Sequence, residues 1–141
     1  MTPTASPGLM TRLACGLYEV LLLAGVLVLA GFVLVPFGQV LNHDNTSLQL
    51  YNRAWMMLVI TVYFTWFWTH GGQTLPMKTW RMRVVRRDGG ALSPALALAR
   101  MLLVFLGIAL LGLPFAWAFA DPEGLYLHDR LLGTRLIRIT G

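Results

Sequence analysis

One cysteine, Cys15, stands in a chain of 141 residues, so no intramolecular disulfide can form. Charge is scarce as well. Asp, Glu, Lys and Arg make up 12% of the chain, about half the share of an ordinary soluble domain. Acids are the scarcest, six against eleven Lys and Arg. There is no glycine-rich phosphate loop ending in G-K-[ST], no HExxH and no CxxC. No nucleophile has a base beside it. The chain therefore reads as a non-enzyme with no cofactor and no metal. The net charge of +5 raises nucleic acid as a partner. However, the basic residues gather in one loop between apolar segments, which is how a membrane anchor distributes charge. No internal repeat and no low-complexity tract is present.

What is abundant is apolar sequence, 57% of all residues. The longest run, Leu13–Val35, is 23 residues with a single ionisable carboxyl, Glu19, and Arg12 just before it. That length crosses a bilayer with some tilt. A carboxyl inside it is costly unless neutral, paired or facing protein. The run is too long for a signal-peptide core and no small-x-small cleavage site follows it, so it reads as a retained anchor. Residues 1–10, with Pro3, Pro7 and Gly8, read as a flexible leader. The first helix is expected over about 11–35, ended by Pro36-Phe37-Gly38, with a polar turn over Asn42–Ser47.

A second apolar run spans about Tyr51–Thr69, with Tyr and Trp towards its ends. Thr61, Thr65 and Thr69 recur at i, i+4 and i+8, which puts three hydroxyls on one helical face. That face either packs against the first helix or lines a polar path with Glu19. His70-Gly71-Gly72 breaks the helix, and Thr74-Leu75-Pro76 can open a short turn. Trp80, Met82 and Val84 then alternate with Arg81, Arg83 and Val85, a strand-like period, closed by the turn Asp88-Gly89-Gly90. Ser93-Pro94 caps a helix to about Leu111. Gly112-Leu113-Pro114 interrupts it before a short piece over about 114–120. Asp121-Pro122-Glu123-Gly124 is a sharp exit, and Arg135–Thr140 is a second strand-like piece.

These elements predict one all-α membrane domain over residues 11–141 with three transmembrane segments. Helices are expected at about 11–35, 51–69, 94–111 and 114–120, with a small two-strand cytoplasmic element. Loop 70–93 carries Lys78, Arg81, Arg83, Arg86 and Arg87, whereas loop 36–54 carries only Arg53. The positive-inside rule then puts the N-terminus and loop 70–93 in the cytoplasm. The third segment is either one kinked span, with the tail outside, or a hairpin split at Gly112–Pro114, with the tail inside. Only the hairpin lets the tail pair with Met82–Arg86.

Several stretches together resemble the RDD family of small prokaryotic membrane proteins. They are Gly71-Gly72-Gln73-Thr74-Leu75-Pro76-Met77-Lys78, Arg83-Val84-Val85, Asp88-Gly89-Gly90-Ala91-Leu92-Ser93, Arg100, and Leu127-His128-Asp129-Arg130-Leu131-Leu132-Gly133-Thr134. The family takes its name from an arginine and two aspartates. Arg12 matches the arginine at the start of the first helix. Glu19 stands where the family has its first aspartate, and Asp129 matches the second. The resemblance implies a multi-pass protein of the bacterial inner membrane. It suggests transport, with sodium/proton exchange proposed for some members.

Arg12, Cys15, Gly16 and Glu19, at i, i+3, i+4 and i+7, share one face of the first helix. Glu19 lies about 10 Å of helix rise beyond Arg12, and Arg100 lies at a similar depth in a helix starting at Ser93. The expectation is a buried Glu19–Arg100 pair. Alternatively, the span starts after Arg100, which then snorkels to lipid phosphate. The candidate buried ion site is thus Arg12, Glu19, Arg100, Thr61 and Thr65. His128-Asp129 is too small a set for a metal. Instead Asp129, with His128, is expected to join the tail to Arg81 and Arg83. Two functions remain open: ion or solute transport using the Glu19 carboxyl, in a homo-oligomer since so few helices barely enclose a path, or a membrane scaffold whose buried charges lock packing. The partners are the lipid bilayer and an unnamed small ion or solute.

Overall fold

The computed structural model describes residues 6–41 and 44–139. The chain is mostly helical. In order it forms α1 (Leu9–Leu41), α2 (Asn45–Thr69), the short α3 (Leu75–Thr79), strand β1 (Met82–Arg86), α4 (Pro94–Ala109), α5 (Leu113–Ala116) continued by a 3-10 turn (Trp117–Phe119), α6 (Leu127–Leu132) and strand β2 (Thr134–Arg138). Of these, α1 alone is long and apolar enough by itself to cross a bilayer. Its 33 residues rise about 50 Å, well beyond a hydrocarbon core of about 30 Å. Helix α4 and the 113–119 segment pass the same test only as a pair, bent by 104° at the break between them. The three expected spans thus appear as one long helix, a second long but less apolar one, and a sharply bent pair.

α1 does not stop at Pro36 but runs through it to Leu41. The proline removes one N–H from the ladder. A chain surrounded by lipid that broke off there would strand several more polar groups. The Tyr51 hydroxyl of α2 donates to the Leu34 carbonyl at 3.3 Å. Gly38 makes room for the Tyr51 ring, since a Cβ there would lie 2.5 Å from ring carbons. α2 also starts earlier than expected. The Asp44 carboxylate caps it by accepting from the Ser47 N–H at 2.8 Å, an ordinary acidic N-cap. Residues 1–5 of the expected leader, and Asn42 and His43 of the expected turn, lie outside the described residues, and Leu9 and Met10 already belong to α1.

The hydroxyl of Thr74 accepts from the Met77 N–H to cap α3, and that of Ser93 accepts from the Leu96 N–H to cap α4. α4 ends in a reversal. Gly112 takes φ +78°, its N–H donates to the Gly107 carbonyl at 2.9 Å, and Pro114 opens α5. Gly107 lets α5 return closely, as a Cβ there would stand 3.2 Å from the Phe115 ring. β2 then pairs antiparallel with β1, with Val84 opposite Leu136. The tail therefore lies against loop 70–93, the pairing expected of the hairpin and not of one kinked span with the tail outside. Met82, Val84 and Leu136 on the inner face of this ribbon meet Ala97 and Met101 of α4, Trp68 of α2 and Cys15 of α1 in one core.

Candidate functional site

The face read from the spacing of α1 is the one that turns inward. Arg12, Cys15 and Glu19 are its buried residues in the first three turns. The partners differ from those expected. Glu19 is 9% exposed, and its Oε2 accepts from the Thr74 hydroxyl at 2.5 Å. Its Oε1 is buried with no hydrogen-bond partner. Among the described residues Glu19 has no ion pair. The Tyr63 hydroxyl of α2 and the Cys15 thiol lie near enough to interact electrostatically with it. The carboxyl thus sits among hydroxyls and a thiol, without a cation.

Arg100 is neither paired with Glu19 nor snorkelling to lipid. It is 4% exposed and forms a buried ion pair with Asp129. Arg100 Nη1 also donates to the Thr134 hydroxyl at 2.8 Å, and that hydroxyl donates to Asp129 Oδ1 at 2.8 Å. Its guanidinium lies 4.9 Å from the Trp68 ring centre, within cation–π range. The direction of the side chain around the helix axis decided the partner. Ala97, Arg100 and Met101 form the buried face of α4; Arg100 on it meets Asp129 of α6, while Ala97 and Met101 share the core with Cys15 of α1.

Arg12 ties the start of α1 to the tail. Nε donates to the Pro7 carbonyl at 3.0 Å and Nη1 to the Gly124 carbonyl at 2.5 Å, while its guanidinium stands 5.3 Å from the Tyr126 ring centre. It therefore stays apart from Glu19 and serves the exit turn. Asp121 holds that turn from within. Its carboxylate accepts from the N–H groups of Leu125 and Glu123, each at 3.0 Å, and pairs with Arg130. The backbone N–H of Leu125, with that of Glu123 and the Arg130 charge, holds the Asp121 carboxyl below its ordinary range.

The threonine face of α2 looks elsewhere than expected. Thr61, Thr65 and Thr69 line a groove with Pro94, Ala95 and Leu98 of α4. Thr61 and Thr69 donate back to Met57 and Thr65 carbonyls, a common helical arrangement for threonine hydroxyls. Tyr63, two residues on and so on another face, is the α2 residue that reaches Glu19.

Asp129 does not join the tail to Arg81 or Arg83. The backbone makes that joint: Arg83 stands opposite Ile137 in the ribbon, and the Ile139 N–H donates to the Arg81 carbonyl at 2.7 Å. His128, 3% exposed, stacks on Tyr126 and meets Phe115 edge-on. Burial, aided by the Arg100 charge, pushes its imidazole down to about 3. No group of three or more potential metal ligands occurs among the described residues. Thr74, Tyr63, Trp68 and Thr134 carry the polar contacts that spacing did not reveal. The one trace was Thr74, legible as a cap though not as a carboxyl partner.

No curated protein and no solved structure matches the chain. The model of the RDD family does match, over residues 6–133. That stretch takes in the Arg12–Glu19 face, the α3–β1 loop and the His128-Asp129 helix, nearly all of the described fold, and the chain belongs to the RDD family.

Proposed function

We propose that the chain is a multi-pass protein of the bacterial inner membrane that moves a proton or a small cation by way of the Glu19 carboxyl. α1, α2 and the bent α4–α5 pair are taken as its membrane segments. The N-terminus, the α3–β1 loop and the tail ribbon lie in the cytoplasm, following the excess of basic residues in loop 70–93. No bond-making chemistry is assigned to it.

The observation that carries this reading is the contrast between two buried acids. Asp129 has its arginine and a hydroxyl, as a group that locks packing requires. Glu19 has no cation among the described residues: the Thr74 hydroxyl bonds one oxygen, and the Tyr63 hydroxyl and Cys15 thiol lie beside the carboxyl. A buried carboxyl kept without a cation is poised to take up a proton or an ion. An assembly of several copies would supply walls that one small chain lacks.

The scaffold alternative draws support from the Arg100–Asp129–Thr134 cluster, which locks α4 to the tail. Liposomes containing the protein, under imposed pH and sodium gradients, separate the two. The expected outcome is gradient-driven flux that Glu19→Gln abolishes while thermal stability is unchanged. No flux under any gradient, with a partner protein co-purifying, sinks the transport reading in favour of the scaffold.

A further inference from the structure

Four ion pairs form among the described residues: Arg86–Asp88, Arg87–Glu123, Arg100–Asp129 and Arg130–Asp121. Lys78 and Arg81 belong to none of them, and both are exposed. Together with Gln73 and Ile139 they line a cavity of about 250 Å³ with no carboxylate among the described residues of its wall.

The main chain around this cavity is tied down. Arg81 takes φ +53°, a left-handed conformation uncommon outside glycine. Its N–H donates to the Lys78 carbonyl at 3.2 Å, and its carbonyl accepts from the Ile139 N–H at 2.7 Å. The Gln73 side-chain amide donates to the Met82 carbonyl at 2.7 Å. The two cations are thus carried on a fixed turn, not on a loose loop.

The same short segment exposes two large apolar side chains, Leu75 at 46% and Trp80 at 38%. Exposed apolar groups beside unpaired cations are the composition of a segment at the headgroup level, with apolar groups in the acyl boundary and ammonium or guanidinium groups at phosphate. A soluble anion would meet the cations but leave Leu75 and Trp80 without a role.

We propose that the cavity formed by Gln73, Lys78, Arg81 and Ile139 binds the phosphate of an anionic phospholipid headgroup. The site requires that this face lie at a bilayer surface, and it stands whether or not Glu19 moves an ion.

The test is native mass spectrometry of the full chain in a neutral detergent, titrated with phosphatidylglycerol or phosphatidylcholine. One phosphatidylglycerol per chain is expected to be retained, about tenfold or more tighter than phosphatidylcholine. At about fivefold for each basic residue near a membrane surface, Lys78→Gln with Arg81→Gln weakens that binding about thirtyfold. Arg86→Gln with Arg87→Gln removes the same charge from arginines that already have carboxylate partners, and is expected to cost less than about threefold. Equal losses in the two double variants, or no preference over phosphatidylcholine, overturn the site. Displacement of the lipid by millimolar inorganic phosphate assigns the cavity to the free ion and overturns the lipid. If the double variant does not fold, the single Lys78→Gln decides: a loss of about fivefold supports the site and no loss overturns it.

Discussion

Arg100 and Asp129, 29 residues apart in the chain, form an ion pair in which both side chains are almost wholly buried. Thr134 bonds to both, so three elements, α4, α6 and β2, meet at one charge cluster. A pair of this kind contributes little by existing, yet breaking it leaves a stranded charge. Asp129→Asn is expected to destabilise the chain by about 3–5 kcal/mol. Replacing both members, Arg100→Met with Asp129→Leu, is expected to recover most of that loss. Thermal unfolding of the purified variants in one detergent checks both outcomes.

Thr74 serves two masters. Its hydroxyl caps α3 and donates to Glu19. Thr74→Val keeps the shape but removes both bonds, and is expected to cost about 1–3 kcal/mol. Thr74→Ser keeps the hydroxyl and is expected to stay within about 1 kcal/mol of the parent. If valine and serine variants melt together, the hydroxyl has no part in holding the α1–α3 contact.

Gly72, in the turn before α3, lies directly against β1. It has φ +71°, a Cβ there would sit 2.4 Å from the Val84 carbonyl oxygen, and the Val84 N–H donates to the Gly72 carbonyl at 2.8 Å. The obstacle is backbone and cannot swing aside. Gly72→Ala is expected to cost about 3 kcal/mol or more, combining strain with a clash. Gly71, also at positive φ but with open space around it, is expected to lose less on the same change, about 1–3 kcal/mol from backbone strain without a clash. Expression and melting temperature of the two variants give the comparison.

His128 makes stability depend on pH. In the folded chain its imidazole stays neutral down to about pH 3, against an ordinary 6.5. Between those values the unfolded chain binds the extra proton and the folded chain does not. Stability therefore falls as pH falls from about 6.5, by up to about 1.4 kcal/mol per pH unit from this residue. Asp121 adds a loss of the same sign at lower pH, because its depressed carboxyl must be protonated there. His128→Phe keeps the ring contacts to Tyr126 and Phe115 and is expected to flatten the slope between pH 6 and pH 4, as melting temperatures across that range will show.

Much of the architecture is legible in local chemistry. The apolar run of α1, the caps Thr74 and Ser93 before Pro76 and Pro94, and the alternation through Met82–Arg86 each reflect interactions within a few residues. The inward face of α1 is legible too, because helical spacing alone puts Arg12, Cys15 and Glu19 in line. The extension of α1 through Pro36 is not. Local propensity favours a stop there, and it is overridden by Tyr51 packing on Gly38 from another helix.

The sequence by itself determined that the chain has a membrane-length apolar helix with one acid in it, a basic loop, a break near Gly112 and the RDD pattern. These rest on composition, period and backbone restriction, all of which act at short range. Only the tertiary structure decided who meets whom. Helix rise predicts depth, but the direction of a side chain around the axis depends on which neighbour buries that face. The β1–β2 ribbon brings Asp129 under α4 and so gives Arg100 its acid. Glu19 is left with Thr74 and Tyr63, a carboxyl among hydroxyls.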